Sequence, residues 1–169
     1  VAQALALEPA TMRYILPDAP QRPVTINQGQ VCSAWYDILG LQANAPEDHA
    51  GIAQAYQQIK MMIEQEQQRG VSADHIFLAG FSQGGALALY TALQYRHRLA
   101  GVIALSAYLP SAQTFQHTTP VLPRETAFFL ASGDYDPIVQ ASWTIALHDA
   151  LQHWHYTFVQ YTTYPMMHS

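Results

Sequence analysis

The chain is poor in charge, and poorest in lysine. Of its 169 residues only 11% are Asp, Glu, Lys or Arg, with seven basic side chains against twelve acidic ones and a formal net charge of −5. Soluble globular chains average about 25% charged residues. The basic residues are scattered and include a single lysine, Lys60, so the clustered positive footprint of a nucleic-acid binder is missing. There is one cysteine, Cys32. It excludes an internal disulfide and fits a reducing, cytoplasmic setting. No apolar run reaches the roughly 18 residues of a membrane-spanning helix. No G-x-G-x-x-G is present and no Gly-rich loop follows the first apolar run, which leaves nucleotide binding without support. The histidines lack paired ligand spacing and Cys32 stands alone, so a metal site is not expected. An initiator Met is also lacking. A chain running from VAQALALEPA to MMHS reads as trimmed, and a signal peptide upstream would be hidden.

What is present is a large apolar fraction, 50%, and 18 glutamines that carry much of the polarity. The length suits one domain with a sizeable core, residues 1–169. Met12–Leu16 (MRYIL), closed by Pro17, reads as a strand. Residues 17–46 form a long connection with four prolines, and its Trp35-Tyr36 pair suggests packing over something rather than disorder. Glu47–Arg69 is predicted helical, because Ile52, Tyr56, Ile59 and Ile63 fall on one stripe. Glu47 and Asp48 in its first turn, Arg69 in its last and Gly70 just beyond suit the helix dipole and caps. Ile76–Phe81 (IFLAGF) is apolar throughout, as expected of a strand buried on both faces. Gln83–Arg98 reads as a second helix, Val102–Tyr108 and Ala127–Ala131 as two more buried strands, and Ile138–His153 as a third helix. Tyr156–Thr162 alternates like an edge-side strand. Strands alternating with helices imply a doubly wound, mostly parallel α/β sheet. In such sheets ligands sit at the carboxyl ends of the strands.

Chemistry is expected at those ends. The run Gly80-Phe81-Ser82-Gln83-Gly84-Gly85 is G-x-S-x-G between a strand and a helix, the context of a nucleophile elbow. Tight packing at the turn predicts no room for Cβ atoms at Gly80 and Gly84. The turn raises the Ser82 hydroxyl above the sheet and sets the Gln83 N–H beside it, at a helix N-terminus that favours negative charge. Serine needs a base, and the base an acid. In this fold class the chain order is Ser, then Asp or Glu, then His. Asp136 and His168 each follow a strand end in that order, and Asp134, two residues before Asp136, is the alternative acid. His49, His75, His97, His117, His148, His153 and His155 read as surface or packing residues. Trp35, Tyr36 and Tyr108 fit either core packing or the wall of an acyl pocket. Met166 and Met167, beside His168, read as packing.

These stretches resemble one family. PDAPQRPVTIN (17–27), SAWYDI (33–38), FLAGFSQGGALALY (77–90), LAGVIALSAYLP (99–110), GDYDPIV (133–139) and YPMMHS (164–169) are similar to the carboxylesterase and acyl-protein thioesterase group, or phospholipase/carboxylesterase group, of the α/β-hydrolase fold. The resemblance implies Ser82 as nucleophile, Asp136 as acid, His168 as base and the Gln83 backbone as one oxyanion donor. Family members begin with a further strand and an H-G-x-G loop that supplies a second donor, and end in a closing helix; neither is expected in this stretch. The implied activity is hydrolysis of esters or thioesters of apolar acyl chains through an acyl-enzyme, without a cofactor. Short esters, lysophospholipids and S-acylated proteins are all admissible substrates, and a homodimer is allowed. The competing expectation is a truncated, non-catalytic binding or dimerisation module with a vestigial triad.

Overall fold

The computed structural model describes residues 12–42, 44–115 and 118–169. The first elements are two short strands, β1 (Gln21–Val24) and β2 (Gln30–Ser33), paired as an antiparallel hairpin. Gln28 and Gly29 turn the chain in left-handed conformations, with φ of 57° and 77°. Asp37 holds the hairpin's turn, its Oδ1 accepting the Thr25 N–H at 2.7 Å. The connection expected over residues 17–46 thus contains secondary structure of its own. Met12–Leu16, expected as a strand, is not one, and Leu16 is 78% exposed. Apolar residues make a strand only where a neighbour takes up their backbone groups, and no described segment does so.

Helix α1 (His49–Gln68) starts where Asp48 caps it, Oδ1 accepting the Gly51 N–H at 2.8 Å. Glu47 and Asp48 therefore precede the first turn instead of lying in it. Ile52 and Ile63 are buried, with Tyr56 and Ile59 packed beside them. Gly70, at φ 93°, follows the C-cap Arg69 and lets the chain turn away.

Beyond α1 come β3 (Phe77–Phe81), α2 (Gln83–Leu93), β4 (Gly101–Leu105), β5 (Ala127–Gly133), α3 (Ala141–His153) and β6 (Val159–Tyr164). The four strands form one parallel sheet in chain order, β3-β4-β5-β6. Helix α2 is apolar all round, and every residue from Gly85 to Leu93 is buried between α1, β3 and β4. It ends at Leu93, short of the expected Arg98. Arg96, His97 and Arg98 form an exposed turn, and Leu99 returns to the core in time for Gly101 to pair with Phe77. This is the expected α/β arrangement, a parallel sheet packed against helices.

Sheet order corrects the expected burial of IFLAGF. With strands in chain order, right-handed crossovers put α2 and α3 on the same face. That face carries Leu78, Val102, Ala104, Phe128 and Leu130, and it forms the core. The opposite face carries Phe77, Phe81 and Leu105, exposed by 53%, 42% and 37%. Apolarity reports which contacts a strand tolerates, whereas the face that is covered is set by where the crossovers put the helices. No described helix is long and apolar enough to cross a membrane.

Candidate active site

Three strand ends supply the site. Between β3 and α2 stands one residue, Ser82, the N-cap of α2. A one-residue change from strand to helix cannot use ordinary dihedrals, and Ser82 has φ 51° and ψ −120°. Such a conformation costs a non-glycine residue on the order of 1–3 kcal/mol. The surroundings enforce it, since the Ser82 N–H donates to the Leu105 carbonyl at 2.8 Å. A Cβ on Gly80 would overlap the Gly84 carbonyl and the Gly85 nitrogen. One on Gly85 would come within 2.7 Å of the Ala107 Cβ and 2.8 Å of the Gly80 oxygen, whereas Gly84 faces open space. The expected crowding at Gly84 therefore falls on Gly85, because the second residue of α2 points away from the sheet and the third towards it.

Ser82, Asp136 and His168 are brought together. His168 Nε2 lies 2.9 Å from Ser82 Oγ, and His168 Nδ1 lies 2.7 Å from Asp136 Oδ2. The Asp136 side chain is fully buried, and that of His168 is 18% exposed. Asp136 Oδ1 accepts the N–H groups of Ile138 and Val139 at 2.8 and 2.9 Å, which fixes the carboxylate within its own turn. Burial resists its ionisation, but the hydrogen bonds from His168 and from those two amides prevail and hold the carboxyl below the usual range. Asp134 is exposed and joins the site only through its backbone N–H, which donates to the Tyr164 carbonyl at 2.8 Å.

The segment carrying His168 docks against the end of β5. The Tyr135 N–H donates to the Met166 carbonyl at 3.1 Å, and a Cβ on Gly133 would press on the Met166 and Met167 carbonyls. Glycine at 133 thus lets the imidazole approach. Sequence reasoning passed over it, although its place at the carboxyl end of a strand was the available signal. Met167 is 61% exposed rather than packed. The Phe81 ring lies 4.7 Å from the imidazole, tilted by 43°.

Ser82 opens onto a cleft of about 980 Å³ whose walls include Tyr36, Tyr108, Trp143 and Leu147. The Tyr36 and Tyr108 hydroxyls meet at 3.1 Å. Burial raises both phenols above their ordinary range, so they present neutral O–H groups. Trp35 does not reach this cleft. Its side chain lines a second groove, about 310 Å³, beside Ile15, Leu16 and Phe77. The Trp35 backbone, however, is tied to Gln83, whose N–H lies at the start of α2.

Among the described residues, no other histidine is bonded to Ser82 or Asp136. His49 meets Ser111, His75 meets Ser72 and Asp74, and His148 meets Asp149 and Gln152. His97 packs on the Tyr95 ring, while His153 and His155 lie at the end of α3 and in the turn after it. His117 is outside the described residues.

The arrangement has known counterparts. The sequence model of the phospholipase/carboxylesterase family matches residues 2–169. Acyl-protein thioesterase 1 of Neurospora crassa is 39% identical over 163 residues, covering 92% of this chain and 66% of that protein. Acyl-protein thioesterase 1 of Schizosaccharomyces pombe is 38% identical over 128 residues, covering 76% of this chain and 57% of that protein. The chain thus spans less than two thirds of these curated relatives. Among solved structures, Arabidopsis thaliana SOBER1 superposes with a TM-score of 0.84 at 28% identity, covering 92% of this chain and 75% of that one. Zea mays acyl-protein thioesterase 2 gives 0.78 at 26%, covering 99% and 79%.

Proposed function

The chain belongs to the phospholipase/carboxylesterase family, and from that premise we propose that it is a serine hydrolase cleaving carboxylic esters or thioesters of apolar acyl chains. The observation carrying this reading is the continuous hydrogen-bond chain from Ser82 through His168 to buried Asp136. Asp136 keeps a proton on His168 Nδ1, leaving Nε2 free to accept one. As Ser82 Oγ attacks the substrate carbonyl, Nε2 takes its proton, and the imidazolium forms against the carboxylate. The oxyanion collects beside the Gln83 N–H, one of the free first-turn donors of α2. Collapse expels the alcohol or thiol with the proton from His168. Water, deprotonated by His168, then releases the acid and restores Ser82.

The cleft favours an apolar acyl group on the Trp143–Leu147 side and offers the paired Tyr36 and Tyr108 hydroxyls to a polar one. Relatives named acyl-protein thioesterases support S-acylated proteins or lipid esters as the substrate class. The test is labelling with a fluorophosphonate. An adduct on Ser82, lost in Ser82→Ala together with p-nitrophenyl butyrate hydrolysis, is the expected result. Unlabelled Ser82, or a Ser82→Ala variant as active as wild type, defeats the reading.

A further inference from the structure

The reaction above uses Gln83 only through its backbone N–H, yet the side chain is firmly held as well. Gln83 Oε1 accepts the Trp35 N–H at 2.8 Å, and Nε2 donates to the Tyr36 carbonyl at 2.9 Å. A primary amide that accepts from and donates to one dipeptide imitates a backbone pairing and fixes orientation as well as distance. The dipeptide itself is anchored. The Trp35 carbonyl accepts from Arg22 Nη1 at 2.8 Å, and the next N–H, that of Asp37, donates to Asp48 Oδ2 at 2.9 Å. The Tyr36 hydroxyl meets that of Tyr108 across the cleft. Gln83 therefore grips a fixed strap.

The strap matters because of what surrounds the Ser82–Gln83 peptide. Ser82 is strained, and turning that peptide would relieve the strain while swinging the Gln83 N–H away. Within the helix that peptide is restrained only through the Ser82 carbonyl, which accepts the Ala86 N–H at 2.9 Å, since first-turn N–H groups have no partner there. We propose that the Gln83 side chain is a positioning residue, gripping the Trp35–Tyr36 backbone so that its own N–H stays aimed at the forming oxyanion. This rests on the serine-hydrolase reading. Its signature is a loss in kcat, because the N–H acts on charge that exists only in the transition state.

The experiment is steady-state hydrolysis of p-nitrophenyl butyrate by wild type, Gln83→Ala and Gln83→Glu, with competent sites counted by fluorophosphonate titration. Gln83→Ala should lose about tenfold or more in kcat per titrated site while KM moves less than about threefold. Gln83→Glu separates positioning from bulk. Its carboxylate cannot donate to the Tyr36 carbonyl, but its protonated acid can. The kcat ratio of Gln83→Glu to wild type should climb several-fold between about pH 8 and about pH 5, towards the ordinary glutamic range near 4.3. Taking the ratio cancels the titration common to both proteins. Both variants within about twofold of wild type per site at every pH overturn the proposal, and their labelled sites leave the hydrolase reading intact. If wild type takes no label on Ser82, the hydrolase reading falls and this inference with it. If Gln83→Ala shows no cooperative melt, Gln83→Glu decides: a rising ratio supports the strap, and a flat one overturns it.

Discussion

Replacing Asp136 by Asn is the sharpest probe of the site because it keeps the side chain's shape while turning one acceptor oxygen into a neutral donor. In the protein, Oδ1 accepts two amides at 2.8 and 2.9 Å and Oδ2 faces His168 Nδ1 at 2.7 Å. Asn fills the same space. Its oxygen is claimed by the Ile138 and Val139 N–H groups, which can only donate, so its NH₂ must face His168. Nδ1 then becomes the acceptor, the ring proton moves to Nε2, and that proton points at Ser82 Oγ, 2.9 Å away. A base in that tautomer cannot take the serine's proton. The analogous exchange in another serine hydrolase lowers kcat by about 10⁴, or about 5 kcal/mol of barrier at about 1.4 per factor of ten. We expect that scale in kcat/KM for p-nitrophenyl butyrate near neutral pH, with a cooperative melt retained. Asp134→Asn, at an exposed position, should stay within about twofold. A loss of less than about tenfold in Asp136→Asn, or an equal loss in Asp134→Asn, would refute the assignment of the acid.

Gly80→Ala should cost about 3 kcal/mol or more, the top of the range for overpacking, because the atoms in its way are backbone; Gly84→Ala should be neutral or up to about 1 kcal/mol stabilising, and urea titration separates the two. Ser82→Gly should abolish hydrolysis yet raise the melting temperature. Relief of about 1–3 kcal/mol of strain exceeds the roughly 0.5–1 kcal/mol entropic cost of glycine, and an unchanged or lower melting temperature contradicts the strained elbow. Asp136 also makes stability depend on acid. Its folded pKa lies below the unfolded value of about 3.9, so its contribution is complete above that pH and is lost as pH falls through the folded value. Urea midpoints between about pH 5 and pH 2.5 should fall more steeply in wild type than in Asp136→Asn.

The parts of the molecule legible in the sequence are those decided locally. The stripe from Ile52 to Ile63, the strand–Ser–helix junction at 80–85 and the acidic turn after β5 each carry their signal within a few neighbours. The hairpin of β1 and β2 was hidden by Pro23 and by strands of only four residues, although Asn27-Gln28-Gly29 offered a turn. The exposure of Phe77 and Phe81 is set by sheet order, which the apolar run IFLAGF does not encode. Crowding at Gly85 rather than Gly84 depends on which way α2 leaves the elbow. The tie from Gln83 to Trp35 joins segments 48 positions apart, and no spacing rule reaches so far.

The bond between Ser82 and His168 spans 86 positions. Contacts of that separation carry a large loop-closure cost and tend to form after local ones. The helices and the β3–β4–β5 ladder can each assemble from near neighbours, whereas the His168 segment needs β6 in place on β5 and Gly133 bare beneath it. A partly folded chain can therefore hold most of its helix and sheet and still have no base beside its serine. Turnover by the proposed reaction would report the completion of folding rather than its progress.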